Sequence, residues 1–302
     1  GVREEAGLDQ QTMKICLGEI DRCQKITPRP NFIVLLGDRY GWRPLPPEIP
    51  ADEFGLIEKA VADPGENTLL REWYIRDDNA VPPVHYLKPR KVDAPAGSGD
   101  EERLRAKDDE ALRWSGIEPR LRRILAGAAE RIGLPSDRRM KYLASATEQE
   151  IEAGAMKVAD AGKHVFCFFR AIEGLPADRS AGAFADFDEL GAPDGEAGRL
   201  LASLKDRLRS RLRQNVREYN AAWNHGAVSK DHLPGLCEDV WKSLSEVILG
   251  EIVQMGDADP VVKEIAEHEA FARARAKFFF GRESYLQGIA DHLIARSQGP
   301  LA

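Results

Sequence analysis

Residues 31–42 read Asn-Phe-Ile-Val-Leu-Leu-Gly-Asp-Arg-Tyr-Gly-Trp (NFIVLLGDRYGW), and this stretch largely determines the predicted fold. Phe32 to Leu36 are apolar without alternation, which predicts a strand buried on both faces, the kind found mostly in parallel sheets packed between helices. A second such run, HVFCFF, occupies residues 164–169. Amphipathic helices over residues 10–25 and 147–162 precede the two runs. Helix, strand, helix, strand predicts an α/β fold with a parallel sheet.

The rest of the chain is predicted to be mostly helical. Residues from about 44 to 140 are rich in proline at first and helical later, so they are expected to form a helical insertion on the sheet. A long helix is predicted over residues 197–223. Its apolar face is formed by Leu201, Leu204, Leu208, Leu212 and Val216. We therefore predict an α/β domain over residues 1–176, an all-α linker over 177–277, and the start of a further domain over 278–302.

Composition excludes several classes of protein. The 302 residues are 43% hydrophobic and carry a net charge of -7, so the overall field of the chain repels nucleic acid and anionic membranes. Four cysteines form no CxxC pair, which predicts neither a disulfide framework nor a metal site. The sequence shows no signal peptide and no apolar run of bilayer-spanning length, which predicts a cytoplasmic protein. Both ends are expected to be cut from a longer chain.

The first candidate site is the segment that follows the first predicted strand. Ligands in parallel sheets collect beyond the carboxyl ends of the strands. The segment consists of Gly37, Asp38, Arg39, Tyr40, Gly41 and Trp42. Its glycines allow a tight turn, its charged pair can bond a polar ligand, and its aromatic rings can stack on a base. The alternative is a structural turn in which the rings pack under the proline-rich segment and the charged side chains pair with neighbours.

The second candidate is Glu150, on the helix before the second strand. A carboxylate at that edge of the sheet can stabilise positive charge that develops on a sugar. Thr147 and Glu150 also have the spacing of a capping box, in which the two side chains satisfy backbone N–H groups at the start of a helix. The spacing alone favours the cap.

The basic run from Lys205 to Arg213 is the third candidate. Its cations stand at alternate positions, which scatters them around a helix, so a solvated face is favoured over a phosphate site.

Several separated segments together resemble a known family. They are residues 16–24 (CLGEIDRCQ), 30–50 (PNFIVLLGDRYGWRPLPPEIP), 73–87 (WYIRDDNAVPPVHYL), 145–156 (SATEQEIEAGAM) and 164–170 (HVFCFFR). In this order they are similar to the TIR-like N-terminal domain, of undefined function, of NACHT and WD-repeat proteins and of bacterial STAND ATPases. The resemblance covers roughly residues 1–220 and implies a flavodoxin-like sheet that lacks its first edge strand.

The last segment, FFFGRESYLQGIADHLIARSQGPLA, resembles the part of those proteins that precedes their P-loop. The resemblance implies that Gly281 and Arg282 lie near the adenine and ribose of ATP bound with Mg²⁺ in the full-length protein. These 302 residues contain no GxxxxGK[ST] motif, so they are not expected to hydrolyse ATP or to hold a cofactor by themselves.

The comparison with TIR enzymes that cleave NAD supports a catalytic role for Glu150 as well as the capping role. Ser145 and Glu150 match the layout of their catalytic segment, whereas Thr147-Glu148 replaces the family's Trp-Cys pair. The leading hypothesis is a signalling module of a STAND ATPase in a conflict or immune response. It would self-associate through the ATPase core and contact an unknown downstream protein. The alternative is a glycohydrolase activated by clustering, with NAD as substrate, Glu150 as catalyst, and Arg39 and Trp42 holding the ligand.

Overall fold

A computed structural model describes residues 7–26, 29–93, 97, 99–256, 260–276 and 283–297. The chain divides into two compact units, Gly1–Ile248 and Leu249–Ala302. The first unit contains both sheets and has a mixed α/β architecture, as the sequence predicts.

The strands are β1 (Ile33–Leu36), β2 (Glu48–Pro50), β3 (Tyr74–Asp77), β4 (Val84–Leu87), β5 (Phe166–Glu173), β6 (Val216–Asn224) and β7 (Ala227–Val228). The helices are α1 (Thr12–Ile26), α2 (Ala51–Ala60), α3 (Pro64–Trp73), α4 (Asp100–Arg131), α5 (Ser136–Leu143), α6 (Ala146–Ile151), α7 (Gly195–Leu212), α8 (Leu233–Gly256), α9 (Pro260–Ala276) and α10 (Glu283–Ser297). Helix α6 continues into a π-helical turn, Glu152–Met156.

The main sheet has the order β1-β5-β6-β7. The two strands predicted from apolar runs are parallel neighbours, with Ile33 opposite Phe166. β6 adds to β5 in parallel, starting with Val216 opposite Cys167. β7 is antiparallel to β6 and closes a short hairpin.

One face of this sheet is covered by helices. Val34, Cys167 and Phe169 pack against Ile151 of α6 and Leu208 of α7 in a single apolar core. Along each strand the side chains in this core alternate with side chains on the other face of the sheet, where Phe168 of β5 is also buried.

The prediction that β1 is buried on both faces is wrong. Val34 and Leu36 are buried, but Ile33 and Leu35 are 39% and 62% exposed. β1 is an edge strand, and within the described residues its second face has no helix over it that buries these two side chains. An unbroken apolar run therefore marked an edge strand rather than a central one.

The insertion after β1 is not purely helical, which corrects the prediction. It contains a three-stranded antiparallel sheet with the order β2-β4-β3 beside helices α2 to α5. Its own core includes Ile49, Phe54, Leu70, Leu121 and Leu125. The strands are only three or four residues long, too short to show an alternating pattern.

The predicted helix over residues 197–223 is also wrong in its second half. Helix α7 ends at Leu212, where Arg213 adopts a φ of 46°, and the chain continues as β6. The Asn215 side chain fixes this corner, since its amide donates to the carbonyl oxygens of Gly162 and Val165, both at 2.9 Å. Residues 216–228 are therefore strand and turn rather than helix.

Candidate functional site

The loop Gly37–Trp42 lies at the carboxyl end of β1, and the N-terminus of α6 lies beside it. The backbone N–H of Ser145 donates to the hydroxyl oxygen of Tyr40 at 3.1 Å. The Trp42 carbonyl accepts from the Ala146 N–H at 2.9 Å. The structure thus brings together the loop and Ser145, two parts of the predicted site that are more than 100 residues apart in sequence.

Asp186 holds the loop from the other side. Its carboxylate accepts from the backbone N–H of Tyr40 at 2.6 Å and of Gly41 at 3.1 Å. The Arg39 side chain donates to the same carboxylate at 3.3 Å. Gly41 has a φ of 93°, a conformation that favours glycine at this turn. Sequence reasoning missed Asp186 because it lies in an irregular segment with no pattern.

Asp38 ties the loop to β5. Its carboxylate accepts from the Ile172 N–H at 2.9 Å. Burial raises the pKa of Asp38, and the nearby ammonium of Lys205 acts in the opposite direction. A Cβ atom at position 37 would lie 3.2 Å from Nη2 of Arg170, so Gly37 leaves room for that guanidinium.

Glu148 is the carboxylate that the fold brings to this loop. Tyr40 is 2% exposed, and its hydroxyl donates to one oxygen of Glu148. Arg207 donates to the other oxygen and lies 3.6 Å from Glu152. Burial, followed by the bond to Glu148, raises the pKa of Tyr40 well above its ordinary value. This network was not predicted, because Glu148 is separated from Tyr40 by 108 positions.

The basic run is not only a solvated face. Arg207 pairs with Glu148, and Lys205 is partly buried beside the ring of Phe169. The prediction fails at these two positions, because α7 packs this part of its surface near the end of the sheet.

The helix cap differs from the predicted one. Ser145, not Thr147, is the N-cap of α6, and its hydroxyl accepts from the Glu148 N–H at 3.2 Å. The helix begins two residues earlier than the Thr147–Glu150 pairing requires. The predicted capping box is therefore wrong, although the helix start is close to its predicted place.

Glu150 is placed away from this network. Its carboxylate lies near the Cys16 thiol of α1, and burial, followed by the effect of this carboxylate, raises the pKa of Cys16. Ser145 contacts Tyr40 and Glu148 instead. Ser145 and Glu150, which the TIR comparison joined, thus have different partners.

Trp42 ends the loop at the surface of the insertion. Its indole N–H donates to Glu118 of α4 at 2.7 Å, and the residue is 44% exposed. The remaining predicted site residues, Gly281 and Arg282, lie outside the described residues.

The loop has the internal contacts of the structural alternative. The side chains of Asp38, Arg39, Tyr40 and Trp42 each have a partner within the chain. In the described ranges, no three His, Cys, Asp or Glu side chains are grouped so as to hold a metal ion. Across the same ranges, every helix is too short or too polar to cross a bilayer.

The fold and the site define an α/β module whose candidate loop is fixed by polar contacts within the chain. Sequence comparison finds similarity to one group of proteins. The chain is homologous to NACHT and WD repeat-containing proteins. It is 26% identical over 302 residues to mouse NACHT and WD repeat domain-containing protein 2, covering 92% of this chain and 17% of the relative. It is 28% identical over 246 residues to human NACHT domain- and WD repeat-containing protein 1, covering 78% and 14%.

The chain spans less than a fifth of the length of these relatives. No protein-family model matches it. No solved structure matches it significantly either.

Proposed function

We propose that this chain is the N-terminal signalling module of a NACHT-type STAND ATPase in the cytoplasm. The observation that carries the proposal is the similarity to NACHT and WD repeat-containing proteins, which extends over 78% to 99% of this chain. In the full-length protein, a core that binds ATP and Mg²⁺ follows the TIR-like module. Gly281 and Arg282 contact its nucleotide, and the core self-associates and clusters the modules.

The geometry at the sheet edge supports contact rather than catalysis. The loop N–H groups are bonded to Asp186, and the Tyr40 hydroxyl is bonded to Glu148. A loop whose polar groups are satisfied internally presents a fixed surface, and ordering it costs little when another protein binds. The module therefore transmits its signal to a downstream protein through domain contact once it is clustered.

Sedimentation of the whole protein tests the clustering step. We expect ATP with Mg²⁺ to shift the protein to a larger species. Substituting the P-loop lysine of the full-length protein should abolish the shift, because that lysine contacts the nucleotide phosphates. A whole protein that stays monomeric at saturating ATP would contradict this part of the proposal.

Induced clustering of the chain tests the signalling step. Residues 1–302 fused to a chemically dimerised domain should produce the cellular response of the whole protein without ATP control. NAD should be measured in the same cells. NAD loss that Glu150→Gln abolishes in a folded protein would replace the contact mechanism with NAD cleavage, the alternative that the TIR comparison suggested.

A further inference from the structure

An open cavity of about 530 Å³ lies beside the last turn of α7. Met156 of the π-helical turn lines it, together with Arg207, Ser210, Arg211 and Arg213. Three arginines thus line one cavity on a chain whose net charge is -7, and within the described residues no carboxylate is part of the wall. A local excess of guanidinium groups favours the binding of an anion.

The arginines of the wall differ in how far their charge is neutralised. Arg207 is paired with two carboxylates, one on α6 and one on the π-helical turn. Both hydrogen bonds of Arg211 run from Nη2 to backbone carbonyls, those of Val158 at 2.5 Å and Ala159 at 3.2 Å. Carbonyl oxygens carry no net charge, so they hold this guanidinium without neutralising it. Its Nε and Nη1 groups remain to donate to a ligand.

Arg213 is a second cation without a compensating charge. It is exposed, and among the described residues its side chain has neither an ion pair nor a hydrogen bond. Its backbone has a φ of 46° and a ψ of -102°, a combination that residues other than glycine rarely adopt. Such conformations cost stability and are found mostly at functional sites. Buried Leu212 and the bonds of Asn215 fix the backbone on either side, so Arg213 is kept at the cavity.

The two unneutralised guanidinium groups restrict the ligand. They match a phosphate monoester, which carries about 1.5 to 2 negative charges at pH 7. Planar guanidinium forks bind phosphate oxygens through paired N–H···O bonds. The Ser210 hydroxyl belongs to the same wall and can donate to a further oxygen. The acidic remainder of the chain repels a long polyanion such as nucleic acid, so the ligand is a small or local phosphate group.

We propose that this cavity binds the phosphate group of a phosphate monoester, with Arg211 and Arg213 donating to its oxygens. The group belongs either to a phosphorylated side chain of another protein or to a small phosphorylated molecule. This inference is independent of the proposed signalling function, because neither clustering nor domain contact requires the cavity.

Calorimetric titration of the 302-residue chain with O-phosphoserine tests the proposal. We expect saturable binding that sulfate competes with, whereas serine should not bind. Arg211→Gln and Arg213→Gln should each weaken binding at least about tenfold, the loss expected when charge-assisted hydrogen bonds are removed. The matched control is Arg199→Gln, since Arg199 is exposed on α7 outside the cavity and its replacement removes the same charge. Circular dichroism of each variant excludes unfolding as the cause of lost binding.

Arg213→Gly separates binding from stability. Glycine adopts a positive φ readily, so this variant should have a higher urea midpoint than the wild type and yet bind O-phosphoserine as weakly as Arg213→Gln. An arginine that served only the fold would not show this opposition.

Two further ligands identify the source of the phosphate group. A short peptide that contains phosphoserine and binds more tightly than inorganic phosphate would identify a phosphorylated protein as the partner. Equal binding of the peptide and inorganic phosphate would identify a small phosphorylated molecule. No saturable binding of O-phosphoserine at millimolar concentration, equal losses in Arg213→Gln and Arg199→Gln, or undiminished binding by Arg213→Gly would overturn the proposal.

Discussion

Glu148 joins the buried Tyr40 hydroxyl to Arg207, and its removal tests how firmly the candidate loop is held. We expect Glu148→Ala to lower the free energy of unfolding by about 1–3 kcal/mol, because a buried hydroxyl loses its acceptor. Urea denaturation measures the change. Glu150→Ala is the matched control on the same helix. The partner described for the Glu150 carboxylate is the Cys16 thiol, so Glu150→Ala should lower the free energy of unfolding by less than Glu148→Ala does. A larger loss for Glu150→Ala would contradict this account of the network.

Lys205 gives the protein a dependence on alkaline pH. Burial lowers the pKa of its ammonium more than the charge of Asp38 raises it. The folded chain therefore binds this proton less readily than the unfolded chain. The cost to stability is fully present at neutral pH and disappears as the pH rises through the folded pKa towards the ordinary value of 10.5.

Replacing Lys205 with methionine should remove this cost. Since the group is only half buried, solvent screens part of the effect, and we expect Lys205→Met to raise the free energy of unfolding at pH 7 by at most about 1 kcal/mol. The gain should shrink as the pH rises towards 10.5 in urea titrations. Lys242→Met, on an exposed position of α8, should show neither effect. A gain that is constant with pH would rule out the ammonium as its cause.

The π-helical turn after α6 packs closely on the residue that leads into β1. A Cβ atom on Gly154 would lie 2.5 Å from the Phe32 ring, too close for the ring to stay in place. Gly154→Ala should therefore lower the free energy of unfolding by about 1–3 kcal/mol. Gly116→Ala in α4 is the control. Its added methyl group meets nothing within 4 Å, and it should stabilise the chain by up to about 1 kcal/mol. Similar urea midpoints for the two variants would show that Phe32 moves aside freely.

The sequence predicted those elements whose signal is local. β1 and β5 were found from their apolar runs, and the start of α6 was found to within two positions, although the helix ends earlier than predicted. β6 was missed because Arg217, Glu218 and Asn220 are exposed, so only part of the strand is apolar. Its conformation depends on pairing with β5, a contact between distant parts of the chain that local pattern does not encode.

For the candidate site, too, some features could be predicted from the sequence and others could not. The position of the loop after β1 and its nearness to Ser145 follow from the carboxyl-edge rule for parallel sheets. The partners Asp186, Glu148 and Arg207 do not follow from any spacing, because each reaches the site from a separate segment through side-chain contact. Glu150 had the family spacing, yet the turn of the helix directs it to Cys16. Two positions along α6 therefore separate the carboxylate at the loop from the one that the family layout predicts.

The unit Gly1–Ile248 contains all of the buried apolar side chains described, from Met13 to Ala221. A chain that ends at Ile248 should therefore fold and keep its free energy of unfolding within about 1 kcal/mol, since none of the apolar side chains described after this point is buried. It also retains the bond from the Tyr219 hydroxyl to Asp239 at 2.6 Å.

A chain that ends at Leu212 loses β6 and leaves β5 without the partner that pairs with it from Cys167 to Glu173. We expect the shorter chain to lack a cooperative urea transition by circular dichroism. If the chain ending at Ile248 also lost its transition, residues 249–302 would be part of the folding unit, and the second unit would not be independent of the first.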